Sequence, residues 1–439
     1  MEEKNSEKKE RKMRDSGIPW IGEVPEGWGI HPLYSYFAER KNKNSMLQEQ
    51  NLLSLSYGKI IRKDINTNGG LLPANFTTYN IVQPNDIVIR PTDLQNDKKS
   101  LRTGLVTEKG IITSAYISLQ PIANIYIKYF HYLLHSYDIN KVFYNMGNGV
   151  RQGLNYSEFS KLMLLCPGKE EQHRIADFLD SKCSEIDTLI ENLRVRVESA
   201  KEYKKAVITE AVTKGLDKDA KMKDSWVEWI GEVPEGWKIC KVKQISNKIT
   251  DGAHISPDTT NGEFKFLSVT NMNDTGALDF VNCLKINSVQ YAYLVKTGCQ
   301  PKKDDVLISK DGTIGKTTVV SDNNFVVASS LVIIRPNQLK IRPKYLKYCL
   351  MSNIVQEQLL SVLAGSALKR VSIEKNANLK FVYTYDMTTQ QQIIDYLDSK
   401  CSEIDTLLQN YEDQIATLEE YKKSLIYEYV TGKKEVPEA

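Results

Sequence analysis

The sequence predicts an α+β chain: two mixed α/β domains separated by two long antiparallel coiled-coil-like helices, with intramolecular pseudo-two-fold symmetry. Three observations carry that prediction. Two segments recur unchanged, WIGEVPEGW at Trp20–Trp28 and Trp229–Trp237, and LDSKCSEIDTL at Leu179–Leu189 and Leu397–Leu407. The stretches between them keep a strand-and-turn pattern while losing identity. Both halves end in a long segment with apolar residues at heptad-like spacing.

The repeats fix the organisation. The first is offset by 229 − 20 = 209 residues. The second is offset by 397 − 179 = 218, as is EYKK at Glu202–Lys205 and Glu420–Lys423. Drift after duplication does not leave eleven residues of eleven identical beside domains that barely align. The constant parts must do one job twice, and the variable parts two different jobs. In chain order this gives a disordered tail (1–19), a variable domain (20–168), a constant helix (169–215), a linker (216–228), a second variable domain (229–387), a second constant helix (388–432) and a tail (433–439).

Within the variable domains, NDIVIR at Asn85–Arg90 matches DDVLIS at Asp304–Ser309 as a strand entered from a turn. IITSAYISLQP at Ile111–Pro121 matches VVASSLVIIRP at Val326–Pro336, an apolar strand ending at proline. YIKYFHYLLHS and RPKYLKYCLMS share lysine, tyrosine and leucine at helical spacing.

The first long helix should pair through Ile175, Leu179, Ile186, Leu189, Leu193 and Val197, continuing to Ala200, Tyr203 and Val207, with Gly215 as its stop. The second should pair through Ile393, Leu397, Ile404, Leu408, Tyr411, Ile415 and Leu418, then Leu425 and Tyr429. Thr388 or Thr389 can cap its start and Gly432 can end it. At about 1.5 Å per residue each spans roughly 55–65 Å. Two seams of one spacing are each other's economical partner, and antiparallel pairing sends the domains to opposite ends. Two copies of one outer face should bind two copies of one partner.

Composition narrows the class. Hydrophobic residues are 41% and charged residues 26% of the 439, which suits a chain of several globular domains. No apolar run is long enough to cross a bilayer, and the polar start lacks a signal peptide's apolar stretch, so a cytoplasmic location is expected. The seven cysteines form no C-x-x-C pair and read as small buried residues, not as a disulfide or zinc framework. A net charge of +3 is neutral evidence on nucleic acid.

A nucleic-acid reader needs Lys and Arg for phosphates and amide, hydroxyl or guanidinium groups for base edges. The first domain offers Lys59, Arg62 and Lys63, then Arg90, then Lys98, Lys99 and Arg102. Its pre-helix loop, GNGVRQGLNYS, brings Arg151 and Gln152 beside Gly147 and Gly149. The second offers Lys310, Thr313, Lys316 and Thr317 in SKDGTIGKTT. Its matching loop, AGSALKRVS, brings Ser366, Lys369 and Arg370 beside Gly365. Any one such cluster is commonly a solvated face; recurrence at corresponding places singles these out.

Three motifs look catalytic. Gly312–Thr317 resembles a phosphate loop, but the first glycine of that motif would fall on Lys310. Pro257-Asp258 with Glu263 and Lys265 resembles a nuclease triad with its parts crowded together. His131 and His135 stand one helical turn apart without a visible third ligand. No Asn-Pro-Pro-Tyr or Asp-Pro-Pro-Tyr run and no glycine-rich strand–helix turn for S-adenosylmethionine is found. The chain is expected to hold no catalytic site, metal or cofactor. A two-headed coiled-coil adaptor for proteins is the alternative reading.

The layout resembles the specificity subunit of Type I restriction-modification systems. The resemblance rests on the WIGEVPEGW openings, the pre-helix glycine loops, the helix starts EEQHRIADFLDSKCSEIDTLI and TQQQIIDYLDSKCSEIDTLL, and the helix ends EYKK…VTKG and EYKK…VTGK. PTDLQNDKKSLRTG replaces the SKDGTIGK pattern in the first half. The resemblance implies two target-recognition domains, each reading one half of a bipartite asymmetric DNA site, and helices that fix the gap. It implies two methyltransferase subunits binding S-adenosylmethionine, and one or two motor-nuclease subunits using ATP and Mg. Half-sites about one turn (~34 Å) apart would lie on one face of the duplex.

Overall fold

In the computed structural model the described residues are 11–66, 75–92, 94, 101–144, 146, 153–364 and 370–437. They fold as two compact units, Met1–Leu193 with Asp413–Ala439, and Arg194–Glu412. The division cuts both long helices, Lys169–Lys214 and Met387–Val430. Each unit therefore holds one variable domain, the first half of the helix that follows it, and the last half of the other helix.

The same sheet stands at the centre of both variable domains. In the first unit the order is Phe37–Glu39, Ile117–Pro121, Ile87–Ile89, Thr103–Leu105. In the second it is Ser246–Asp251, Leu331–Pro336, Val306–Ser309, Thr317–Val319. Every neighbouring pair is antiparallel. Asn85 and Asp304 enter the third strand with φ of 72° and 71°, a left-handed turn that Asn and Asp tolerate best. The next residue is a buried aspartate that needs a cation. Asp86 takes Arg40 at 2.6 and 3.0 Å, and Asp305 takes Arg335 at 2.9 and 2.7 Å. The arginines come from different strands, so one requirement survives where identity is lost.

Each domain is fastened to its constant helix by one repeated set of contacts. Gln172 accepts from the backbone N–H of Tyr126 at 2.8 Å, and Gln390 from that of Arg342 at 2.8 Å. Asp180 receives Lys128 at 2.6 Å and the Tyr132 hydroxyl at 2.8 Å. Asp398 receives Lys344 at 2.6 Å and the Tyr348 hydroxyl at 2.6 Å. The shared lysine and tyrosine of the two domain helices, Ile127–Ile139 and Pro343–Met351, are thereby accounted for. The WIGEVPEGW segments hold the other end. In the first unit Trp28 is buried with Leu425, Ile426 and Val430 in one core, and its indole N–H donates to Glu171 at 3.1 Å. In the second unit Val233 and Trp237 are buried with Val207, Ile208, Ala211 and Val212. Each segment thus grips the tail of the helix belonging to the other half of the sequence.

The helix halves pair antiparallel in each unit. In the first, Phe178 stacks near Tyr429 at 4.6 Å while Asp187 pairs with Lys422 at 2.6 Å. In the second, Lys204 pairs with Asp405 at 2.6 Å, and Val207–Val212 join Ile393, Ile394, Leu397 and Cys401. The two ion pairs are the same pair in the repeat, with the partners exchanged between helices. Cys183 and Cys401 are buried seam residues, and burial pushes the Cys183 thiol up to about 11.

Ile175, Leu179, Ile186, Leu193, Val197, Ile393, Leu397 and Ile404 are buried, and Leu408, Tyr411, Ile415 and Leu418 are half-buried. Leu189 is a correction: it is 53% exposed, and Ile190 at 5% takes its place. Alternating steps of three and four run Cys183, Ile186, Ile190, Leu193, Val197, which leaves Leu189 one residue off the stripe. Tyr203 is exposed for the same reason, and Lys204 takes the seam position. The second helix is capped by Asp386, which accepts from the N–H groups of Thr388 and Thr389 at 3.0 and 3.1 Å, and not by a threonine side chain. Gly215 and Gly432, with φ of 75° and 72°, follow the two helix ends.

Leu193→Ala should cost about 2–5 kcal/mol by opening a cavity in the seam, while Leu189→Ala should stay within about 0.5 kcal/mol. Urea titration of the two variants checks this; equal losses would contradict the assigned register.

Candidate nucleic-acid interface

The described ends of the loops singled out in the sequence are brought together by the backbone. In the first unit the connection leaving Ile87–Ile89 meets the chain after the pre-helix loop, where Leu154 N–H donates to the Pro91 carbonyl at 2.9 Å. In the second, Val371 N–H donates to the Lys310 carbonyl at 2.8 Å. Asp311 and Arg370 form a β-bridge there, and their side chains pair at 3.0 Å. Just beyond, Asn155 and Ser372 cap the short helices Tyr156–Phe159 and Ile373–Ala377. Each domain thus presents one composite edge made from the same two chain segments.

The candidate residues divide into distinct environments. Lys59, Arg62 and Lys63 are exposed on or beside the hairpin Leu53–Ser56/Lys59–Arg62. Arg62 is held by Glu108, both of its contacts being to that carboxylate. Arg90 is half-buried, and its N–H donates to the Arg102 carbonyl at 2.9 Å. Thr313 and Arg370 are exposed. Lys98, Lys99, Arg151, Gln152, Ser366 and Lys369 lie outside the described residues.

Four candidates are turned inward. Arg102 is fully buried: its Nε donates to the Tyr144 hydroxyl at 2.9 Å, its guanidinium to the Thr92 carbonyl, and its backbone N–H to Asp138 at 2.5 Å. Burial raises the Asp138 carboxyl against the pull of these donors. Lys310 is buried against Asp251. Thr317 is buried, its hydroxyl donating to the Gly315 carbonyl at 3.1 Å. Lys316 is half-buried and spends its ammonium on the Met272 carbonyl at 2.9 Å and on Asp274 at 2.8 Å. A charge count along a strand end cannot see this, because the groups that take up the cations, Tyr144 and the Thr92 carbonyl for Arg102, Asp251 for Lys310, and the Met272 carbonyl with Asp274 for Lys316, are set by the tertiary fold. These four belong to the supporting layer beneath the loops.

The motifs that look catalytic also resolve. Gly312–Thr317 is the turn between strands Val306–Ser309 and Thr317–Val319, whereas a phosphate loop feeds a helix. Asp258 is taken up by Thr260 and Asn287 at 3.0 and 2.9 Å, and Lys265 lies 4.8 Å over the Phe280 ring. His131 and His135 face each other at 6.2 Å. The enclosed Nε2 of His131 lacks a partner among the described residues, and His135 meets the Thr103 hydroxyl at 3.4 Å. Among the described residues no three potential metal ligands gather, and no helix is long and apolar enough to cross a membrane.

The family model for the Type I restriction modification DNA specificity domain matches residues 38–199 and again residues 234–417. The chain belongs to that family. It is a specificity subunit, a non-catalytic component of a type I restriction-modification system. It is 24% identical over 376 residues to the MjaVIII specificity subunit of Methanocaldococcus jannaschii, covering 80% of each chain. It is 22% identical over 316 residues to the EcoBI specificity subunit of Escherichia coli, covering 70% of this chain and 65% of that one. A chain in a solved structure of a type I R-M system, described in terms of complex assembly and conformational transition, superposes with a TM-score of 0.65 at 13% identity. That superposition covers 94% of this specificity subunit and 99% of the other chain.

Burial lowers His131 to about 4 and His135 to about 3. Both are neutral in the folded chain, whereas the unfolded chain takes up their protons near pH 6.5. Stability should therefore be lost as pH falls from about 6.5 through about 4 and then 3. A His131→Leu, His135→Leu variant should show a shallower loss of Tm between pH 7 and 5 than the parent; equal slopes would contradict the burial of this pair.

Proposed function

We propose that each variable domain of this specificity subunit, 20–168 and 229–387, reads one half of a bipartite, asymmetric sequence in double-stranded DNA. The observation that carries the reading is the shared composite edge. Two unlike domains join the same two loops through equivalent backbone bonds, Leu154 to Pro91 and Val371 to Lys310. Around those bonds the loop sequences differ, as two different targets require. The constant helices set the spacing between half-sites. Phosphate contacts supply most of the affinity and loop contacts the discrimination.

In this reading the repeated helix surface is the mount for two copies of a methyltransferase subunit. Support comes from matched side chains that the seam leaves outside. Leu189 and Tyr421 are exposed in the first unit, and Leu407 and Tyr203 in the second. Lys182 and Lys400, each paired with a glutamate three residues on, stand beside Tyr421 and Tyr203. Identical apolar groups in identical settings suit one partner bound twice. One or two motor-nuclease subunits complete the assembly. S-adenosylmethionine, ATP and Mg act on those partners, none being bound by this chain, and the compartment is the cytoplasm.

Replacing residues 229–385 with another reader should change one half of the methylated motif and leave the other intact. Methylome sequencing of a host expressing the chain with its methyltransferase partner checks this, and a change in both halves would overturn the modular reading. DNA affinity of the assembled complex should fall steeply with salt; a flat response would favour the protein-adaptor alternative. Leu189→Asp with Leu407→Asp should abolish co-purification of the methyltransferase subunit while leaving the melting temperature near the parent's.

A further inference from the structure

The hairpin Leu53–Ser56/Lys59–Arg62 has features that the mount and the supporting layer do not explain. Its two-residue turn is Tyr57-Gly58, with φ of 46° and 78°. Two left-handed residues in succession define a type I′ turn, whose first position favours Asn, Asp or Gly. Tyrosine there is strained, and such strain collects at binding sites. The ring of Tyr57 is 84% exposed. Among the described residues no hydrogen bond, ion pair or ring contact involves it.

The hairpin is held firmly, so its tip is placed and not merely loose. Leu55 and Ile60 lie over the strand Thr103–Leu105 at Gly104, where an added Cβ would meet them at 2.6 and 2.9 Å. The turn sits against the next loop: a Cβ on Gly58 would meet Leu101 at 3.1 Å. Leu101 precedes Arg102, which meets the Thr92 carbonyl and the Arg90 N–H beside Pro91, so the hairpin tip lies near the composite edge. On the outward face of the second strand Lys59 and Ile61 are exposed, while Ile60 packs inward.

The second unit has no two-residue hairpin of this kind among its described residues; its chain there turns back through a bridge between Met272 and Leu278, around Gly276. The strand Phe264–Leu267 occupies the matching place, but it runs into a short helical turn at Val269–Asn271, and Asn271 is buried. Ile89 pairs with Thr103 and Ile308 with Thr317, so Thr318 stands where Gly104 makes room. The hairpin is therefore a feature by which the two domains differ on a shared frame.

We infer that Tyr57 is a specificity-determining residue for the first half-site, its ring stacking on or wedging against a base step, with Lys59 beside it on a phosphate. This rests on the proposed DNA reading and deepens it. An aromatic group on a rigid two-residue tip is the right shape for a groove and loses little conformational freedom on binding. An ammonium is a point charge suited to phosphate and indifferent to sequence.

The test uses the full-length chain, expressed with its methyltransferase partner, and genome-wide mapping of methylated adenines followed by binding to duplexes carrying the mapped motif. Tyr57→Ala should relax the first half-site, reducing discrimination there by roughly 10- to 100-fold, with the second half-site unchanged as an internal control of folding. Tyr57→Phe should retain discrimination if the ring carries it. Lys59→Ala should weaken matched and mismatched duplexes alike and lower the salt slope by about one. An unchanged first half-site in Tyr57→Ala, beside a parent complex that reads both, overturns this inference alone. A parent complex without sequence preference overturns it together with the DNA reading beneath it.

Discussion

An apolar stripe running the length of a 46-residue helix must be covered, and covering it shapes the rest of this molecule. Neither copy could remain helical alone in water with that stripe wet, because most helical stability in proteins comes from burying such a face. The partner used is the other copy, and pairing is antiparallel within each unit. Antiparallel pairing lets the Lys422–Asp187 and Lys204–Asp405 bridges form with donor and acceptor exchanged. It also brings each WIGEVPEGW segment to the tail of the opposite helix. The first and last parts of the sequence are consequently folded as one body, with Tyr129 donating its hydroxyl to the Val430 carbonyl at 3.0 Å.

The constant and variable parts meet through a small polar kit. A glutamine at the helix start satisfies the N–H of the residue that precedes the domain helix, and an aspartate two turns on collects a lysine and a tyrosine. Such a kit demands little from the rest of the domain. It accepts any fold that offers a helix with lysine and tyrosine one turn apart. The aspartate that opens the central strand behaves likewise, taking arginine from whichever strand supplies it. Tolerance of this kind lets the loop edge diverge without disturbing the join to the constant helix, which is what two unlike domains on one frame require.

Most residues on the heptad spacing are buried or half-buried, because burial along a paired helix follows its period. Leu189 failed where two adjacent apolar residues, Leu189 and Ile190, compete for one position; the choice depends on the phase set by Cys183 and Ile186. The loop candidates were legible as clusters but not as environments. Arg102 and Lys310 look like surface cations in the chain, yet the Tyr144 hydroxyl with the Thr92 carbonyl, and Asp251, hold them inside the domain. Tyr57 was passed over because a lone tyrosine before glycine carries no charge signal. Its meaning appears only once the turn is seen to be left-handed and the ring outside.

The sequence by itself determined the duplicated architecture, the two long helices and their stops, and the family. Repeats, period and glycine placement are local properties that survive without coordinates. Only the tertiary structure decided which cations face outward, which loop ends share an edge, and that among the described residues the tight two-residue hairpin belongs to the first domain. Those outcomes turn on contacts between residues far apart in the chain, where a buried carboxylate or a missing side chain such as that of Gly104 settles the matter, and no nearby residue records it.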